Sequence, residues 1–180
     1  MRSDARENRN RILDVARQAF AEGDEPSMNQ IAQLAGVGPG TLYRNYPSRE
    51  ALAMAVYQQE IGGIVGSVSA LLAEHKPVEA LRLWTLELVS AMRKKHGLGD
   101  ALSPGAHQAI TEQSYGPVIA AITELLSAGQ ADGSIRADAD PRDFLQFTGA
   151  LWRAAPGKDD RSEIMLGLLL DGLGCHDGRR

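Results

Sequence analysis

The chain has 180 residues, of which 43% are hydrophobic and 23% charged; that is enough apolar material for a packed core and too much for a disordered chain. A net charge of −4 excludes a protein that coats polyanions with its whole surface and leaves room for a local basic site. The single cysteine, Cys175, excludes an internal disulfide framework, and the charged N-terminal stretch and short apolar runs predict a soluble, cytoplasmic chain without a membrane span.

Helical periodicity runs through the sequence. Ile12, Leu13, Ala16, Ala19 and Phe20 form an apolar stripe of helical spacing over residues 9–21. Ser27 with Gln30 three residues on reads as a capping box that opens a short helix carrying Ile31, Ala32, Leu34 and Ala35. Gly36 supplies the left-handed residue of a sharp turn. A second short helix is expected from Pro39 to Asn45, with proline at its first position, where a missing N–H costs nothing. Ser48 caps the next, expected from Arg49 to about Leu72 with a bend at Gly62-Gly63 or Gly66.

Start signals then predict helices from Pro77 to about Lys95, Pro104 to about Glu112, Pro117 to about Ala131, Pro141 to about Ala155, and Asp160 to about Leu173. No stretch alternates in the manner of a strand. The fold expected is all-α, with about nine helices.

Residues 28–45 have the spacing of a helix-turn-helix: Ala32 is small where two helices approach, Gly36 makes the turn, and Val37 and Leu42 fill the space between. Thr41, Tyr43, Arg44, Asn45, Tyr46, Ser48 and Arg49 then crowd hydrogen-bonding groups onto a short helix and the cap beyond it, a density that a structural hairpin does not need.

The stretches ILDVARQAFAE and SMNQIAQLAGVGPGTLYRNYPSREAL resemble the tetracycline-repressor-type (TetR) family of bacterial transcription regulators. The AGV turn, the TLY triplet, the following aromatic and the PSREAL helix start occur in the family's order and spacing. The rest of the chain is similar only in helical layout and in GSIRADADPRDF. The resemblance implies a three-helix DNA-binding domain over 1–47, a larger helical effector-binding and dimerisation domain over 48–180, and a homodimer acting as a ligand-responsive regulator, most often a repressor.

Carried over by position, the resemblance assigns DNA contact to Ser27, Gly38, Pro39, Gly40, Thr41, Tyr43, Arg44, Asn45, Tyr46, Ser48 and Arg49. Tyr43 and Thr41 are expected at phosphates or thymine methyls, Arg44 at a guanine edge, and Arg49 at a phosphate. Arg2, Arg6 and Arg9 lie on an expected N-terminal extension. Gly38-Pro39-Gly40 departs from the commoner pattern of longer polar residues and offers bases no side-chain hydrogen bonds, which shifts weight to DNA shape.

For the second domain, Trp84, Met92, His96, His107, Tyr115, Phe147 and Trp152 are candidates to line a pocket for an apolar or aromatic effector. The last helix is apolar nearly all round. Phe144, Thr148, Leu151, Leu166, Leu169, Leu170 and Leu173 are therefore expected at an isologous four-helix interface. No phosphate loop, nucleophile elbow or His-Glu-x-x-His occurs, so neither catalysis nor a metal or cofactor is expected. The alternative reading is a small-molecule-binding helical protein without DNA function, and a ferritin-like enzyme comes third.

Overall fold

The computed structural model describes residues 2–21, 26–97, 102–153 and 161–174. Among these the chain forms nine helices: α1 (Arg2–Ala21), α2 (Met28–Leu34), α3 (Pro39–Asn45), α4 (Arg49–Gly66), α5 (Val68–Glu74), α6 (Pro77–Gly97), α7 (Pro104–Ala131), α8 (Pro141–Arg153) and α9 (Ser162–Leu173). None is long and apolar enough to cross a membrane. The chain divides into two compact units, one of residues 1–60 and 94–111, the other of 61–93 and 112–180.

The expected number of helices is reached by a different partition. The long helix after Ser48 continues through Gly62-Gly63 and ends at Gly66, one of the expected bend positions, with Ser67 separating it from α5. There the Ile64 carbonyl accepts from the Ser67 N–H (3.3 Å), the Ser67 hydroxyl (2.9 Å) and the Trp84 indole N–H (2.8 Å). Gly66 weakens the helix at this point, and the break falls where a carbonyl also finds donors outside the regular ladder. Conversely, the two helices expected on either side of Gly116-Pro117 are one, α7, with Pro117 inside it. An interior proline costs roughly 3 kcal/mol; Gly116 and Pro117 are both exposed, so the interruption lies on the solvent side of the helix. The first helix begins at Arg2, so Arg2, Arg6 and Arg9 belong to α1 and not to an extended arm.

In the first unit, the α1 stripe Ile12, Leu13 and Ala16 packs with Met28, Ile31 and Ala32 of α2, Leu42 of α3, Tyr46, and Leu52 and Val56 of α4. Val15, Phe20, Val37 and Ala55 pack against this cluster. A helix of seven residues is marginal in isolation; α2 and α3 persist because this core holds one face of each.

The second unit is built on larger side chains. Trp84, Leu81 and Leu88 of α6, Ile122 and Leu125 of α7, and Phe144 of α8 are all fully or almost fully buried. The Arg93 guanidinium donates to the Leu151 carbonyl (2.9 Å), tying α6 to α8. Between α7 and α8, Gly133 takes φ +78° and Gln130 Nε2 donates toward the carbonyls of Arg136, Ala137 and Ala139 at 3.3–3.4 Å. Ile135 lies so close over Gly129 that a Cβ there would stand 2.5 Å from Ile135 Cδ1. Arg136 N–H donates to the Leu173 carbonyl (2.9 Å), fixing the turn to the end of α9, and Asp140 caps α8 through the Arg142 N–H (2.7 Å).

Candidate nucleic-acid interface

Local chemistry sets the geometry from α2 to α4. The Ser27 hydroxyl accepts from the Gln30 N–H (3.3 Å), and the Gln30 side chain accepts from the Ser27 N–H (2.8 Å), a reciprocal capping box. At the other end, Gly36 N–H donates to the Gln33 carbonyl (3.0 Å) and Val37 N–H to the Ala32 carbonyl (2.9 Å). With Gly36 at φ +64°, these bonds form a Schellman turn, which requires the left-handed conformation glycine adopts freely. The chain therefore turns sharply after α2, and α3 starts from Gly38 with Pro39 at its first position.

One face of α3 is locked inward, with Leu42 fully buried. Tyr43, Arg44 and Asn45 are exposed and Thr41 is half-buried, so a short helix presents hydrogen-bonding groups to the surroundings. In this state two of those side chains fold back on their own helix. Arg44 Nε donates to the Gly40 carbonyl and its Nη2 to Thr41 Oγ1, both at 3.2 Å, while Asn45 Nδ2 donates to the Thr41 carbonyl at 2.8 Å. Gly38, Pro39 and Gly40 are exposed.

Four of the expected contact residues are engaged within the chain itself. Tyr46 is core, only 2% exposed, and its hydroxyl accepts from Arg9 Nε (3.2 Å), with the guanidinium 5.7 Å from the ring centroid. Arg49 is turned to the scaffold: its guanidinium lies 5.0 Å from the Phe20 ring centroid and donates to the Pro26 carbonyl. It clamps the start of α4 to α1 and the segment before α2, a role open to arginine because its flat cation stacks on an aromatic face. Ser27, although exposed, is engaged in its cap. Ser48 caps α4 by accepting from the Ala51 N–H (3.0 Å). The Arg2 and Arg6 side chains lie outside the described residues.

Sequence reasoning missed a contact that involves the first turn of α4. Ser103 N-caps α7, its hydroxyl accepting from the Ala106 N–H (3.2 Å), and its own N–H donates to the Glu50 carboxylate (2.7 Å). The Ser103 hydroxyl, and after it the N–H, hold the Glu50 carboxyl below its usual range. Fifty-three residues separate the partners, so no local signal announces the pair.

The remaining candidates are dispersed. Trp84 is fully buried and satisfied by Ile64, which makes it a core residue and removes it from a ligand cage. Tyr115 and Phe147 are exposed, at 48% and 65%, while Met92, His107 and Trp152 are half-buried. The His96 side chain lies outside the described residues. An open cavity of about 360 Å³ is lined by Phe144, Phe147, Leu168, Leu169 and Leu173, with Arg136, Asp138, Asp140 and Asp143 at its polar side. Of the seven effector candidates it includes Phe147. Arg136 pairs with Asp138 at 2.5 and 2.7 Å and holds that carboxyl below its usual value.

Of the expected interface residues, Phe144, Thr148, Leu151, Leu166 and Leu170 are buried within the chain's own core, which leaves them no surface to offer a second copy. Phe147, Ile164 and Leu168, at 55–69% exposure, form the apolar surface instead, with Leu169 and Leu173 half-buried beside them. Residues two apart on a helix point about 200° apart, so Ile164 and Leu168 oppose Leu166 and Leu170.

The helix-turn-helix geometry and the helical remainder are those of a DNA-binding transcription regulator. Comparison with known proteins agrees. Residues 12–56 match the model of the bacterial regulatory proteins of the tetR family, and residues 76–175 match the C-terminal domain of SbtR-like transcriptional regulators. The chain belongs to the TetR family.

A TetR transcriptional regulator from Streptomyces coelicolor is 38% identical with a TM-score of 0.78, the match covering 92% of this chain and 98% of that one. A TetR regulatory protein from Mycobacterium vanbaalenii is 33% identical with a TM-score of 0.73 over 96% and 98%. FadR of Thermus thermophilus, a TetR-family repressor solved in complex with lauroyl-CoA, is 26% identical with a TM-score of 0.60 over 96% and 98%. Among curated relatives, an HTH-type transcriptional regulator of Staphylococcus aureus is 43% identical over 63 residues. That match spans about a third of each chain, 34% of both.

Proposed function

We propose that this regulator represses transcription in the cytoplasm by binding a pseudo-palindromic operator as a homodimer, and that a small apolar or aromatic molecule releases it. The observation that carries the reading is α3 itself: seven residues with Leu42 locked inward and Tyr43, Arg44 and Asn45 exposed. The dimer reading draws support from the exposed Phe147, Ile164 and Leu168, an apolar surface that a second copy of α8 and α9 would cover. Two linked recognition helices then meet half-sites about one helical turn apart. The apolar character of the effector is supported by lauroyl-CoA in the Thermus relative.

Selection of binding sites from random duplex DNA tests the reading. A pseudo-palindromic consensus is expected, bound with an affinity that falls steeply with salt as phosphate contacts release counterions. Arg44→Ala should cost about 1–3 kcal/mol of operator affinity and relax preference at one base pair. Failure to enrich any sequence, together with salt-insensitive binding, would defeat the DNA-binding reading.

A further inference from the structure

Helices α8 and α9 and the turn before α8 form the open cavity of about 360 Å³, a volume within the range of small-molecule sites. The buried Trp84 has no part in its lining. Its apolar wall includes Phe147, Leu168 and Leu173, of which Phe147 and Leu168 are exposed at 65% and 69%. Its polar side carries Arg136 and the carboxylates of Asp138, Asp140 and Asp143.

These charges do not cancel. Arg136 is already held by both oxygens of Asp138, at 2.5 and 2.7 Å. Asp140 Oδ1 accepts from the Arg142 and Asp143 N–H groups at 2.7 and 3.3 Å, and so is engaged in capping α8. The Asp143 carboxylate has no cationic partner among the described residues. The end of α9 reaches the same cavity through Gly172 and Leu173, and its last turn holds no basic residue. Its carbonyl end therefore adds partial negative charge.

Asp143 and Phe147 are four residues apart in α8, which puts them on one face with Cβ atoms about 5–6 Å apart. One short molecule can therefore meet both. A neutral apolar ligand strips water from the carboxylate and returns nothing, whereas an ammonium group replaces that water with a charge-assisted hydrogen bond. We propose that this cavity is the effector site, that its ligand is an organic cation with an apolar body, and that ligand and second copy exclude each other. The exclusion follows from shared surface: Phe147 and Leu168 line the cavity and also belong to the exposed apolar surface assigned to the second copy. Release from the operator is then loss of the dimer, since unlinked half-site contacts are weak. This rests on the regulator reading above and adds the ligand's charge, its place and its route to the operator.

Titration calorimetry of the full chain with phenylbutylamine, phenylbutanol and phenylbutyrate varies the charge on one apolar body. The amine should bind at least about tenfold tighter than the alcohol, and phenylbutyrate weakest of the three. Asp143 is exposed, so Asp143→Asn should fold as the parent does, lose most of the amine's advantage and keep the alcohol's affinity. Phe147→Ala should weaken amine and alcohol alike. In sedimentation, saturating amine should shift the parent from dimer toward monomer mass and lower its operator affinity, and phenylbutyrate should do neither.

Equal affinity for the three probes overturns the proposal, as does an amine advantage that Asp143→Asn keeps in full. Amine binding that leaves a dimeric parent's mass unchanged, or raises the dimer's share, overturns the exclusion. A parent already monomeric without amine removes the exclusion together with the dimer reading. The titrations need neither DNA nor a partner, so their failure is separate from that of the DNA-binding reading, which shows as a parent that selects no duplex.

Discussion

Helices α3 and α9 solve opposite problems. The seven residues of α3 bury Leu42 and turn polar groups outward, so its sequence alone separates inside from outside. The twelve residues of α9 are apolar on two opposite faces: Leu166 and Leu170 enter the core of their own chain, whereas Ile164 and Leu168 remain exposed. A helix with a polar face declares its orientation. One that is apolar all round can be rotated by half a turn without offending its composition, and only its neighbours decide which leucines are covered.

The sharpest way to break this comparison is Leu168→Glu. If α9 carries a partner on its outward face, the charge should halve the mass in solution and weaken operator binding by about 10²–10⁴-fold, because the two half-site contacts are no longer linked. Analytical ultracentrifugation and operator titration check both parts. A variant that keeps the parent's mass and affinity would show that Leu168 faces no second copy.

The inward faces should behave alike in the two helices. Leu42→Ala and Leu166→Ala each remove a buried side chain and should cost about 2–5 kcal/mol of stability in denaturant unfolding. Leu168→Ala should leave the unfolding of the isolated chain nearly unchanged. Equal losses for Leu166 and Leu168 would mean that α9 is buried on both faces by its own chain.

The smallest effect concerns the cap at Ser103. Its donation depresses the Glu50 carboxyl below the usual 4.5, so the stabilisation from this contact is fully present above the unfolded-state value and lost as pH falls through the lower, folded one. Ser103→Ala should lower the melting temperature at neutral pH, and the gap to the parent should narrow below about pH 4.5. The part due to the lost Ala106 cap should persist at all pH values. A gap that is constant with pH would assign the whole effect to the cap.

Much of the interface was legible because its determinants are local. The capping box of Ser27 with Gln30, the Schellman turn at Gly36, Pro39 at the first position of α3 and the Ser48 cap each lie within a few residues, and each forms as its spacing implies. Arg49 was less legible. Its type suits DNA contact, but Phe20, which occupies it, lies 29 positions away in the sequence.

The sequence by itself determined the helical class, the place of the turn and the family, since these follow from periodicity, from caps and from a motif confined to one short stretch. Tertiary structure decided what periodicity leaves degenerate. It chose the break after Gly66 over one at Gly62-Gly63, with the Trp84 indole reaching the Ile64 carbonyl, and it kept α7 whole through Pro117. It withdrew Trp84 into the core, and it chose which stripe of α9 is covered. In each case the choice is made by a partner distant along the chain, because burial and hydrogen-bond satisfaction depend on what packs against a residue as well as on the residue itself.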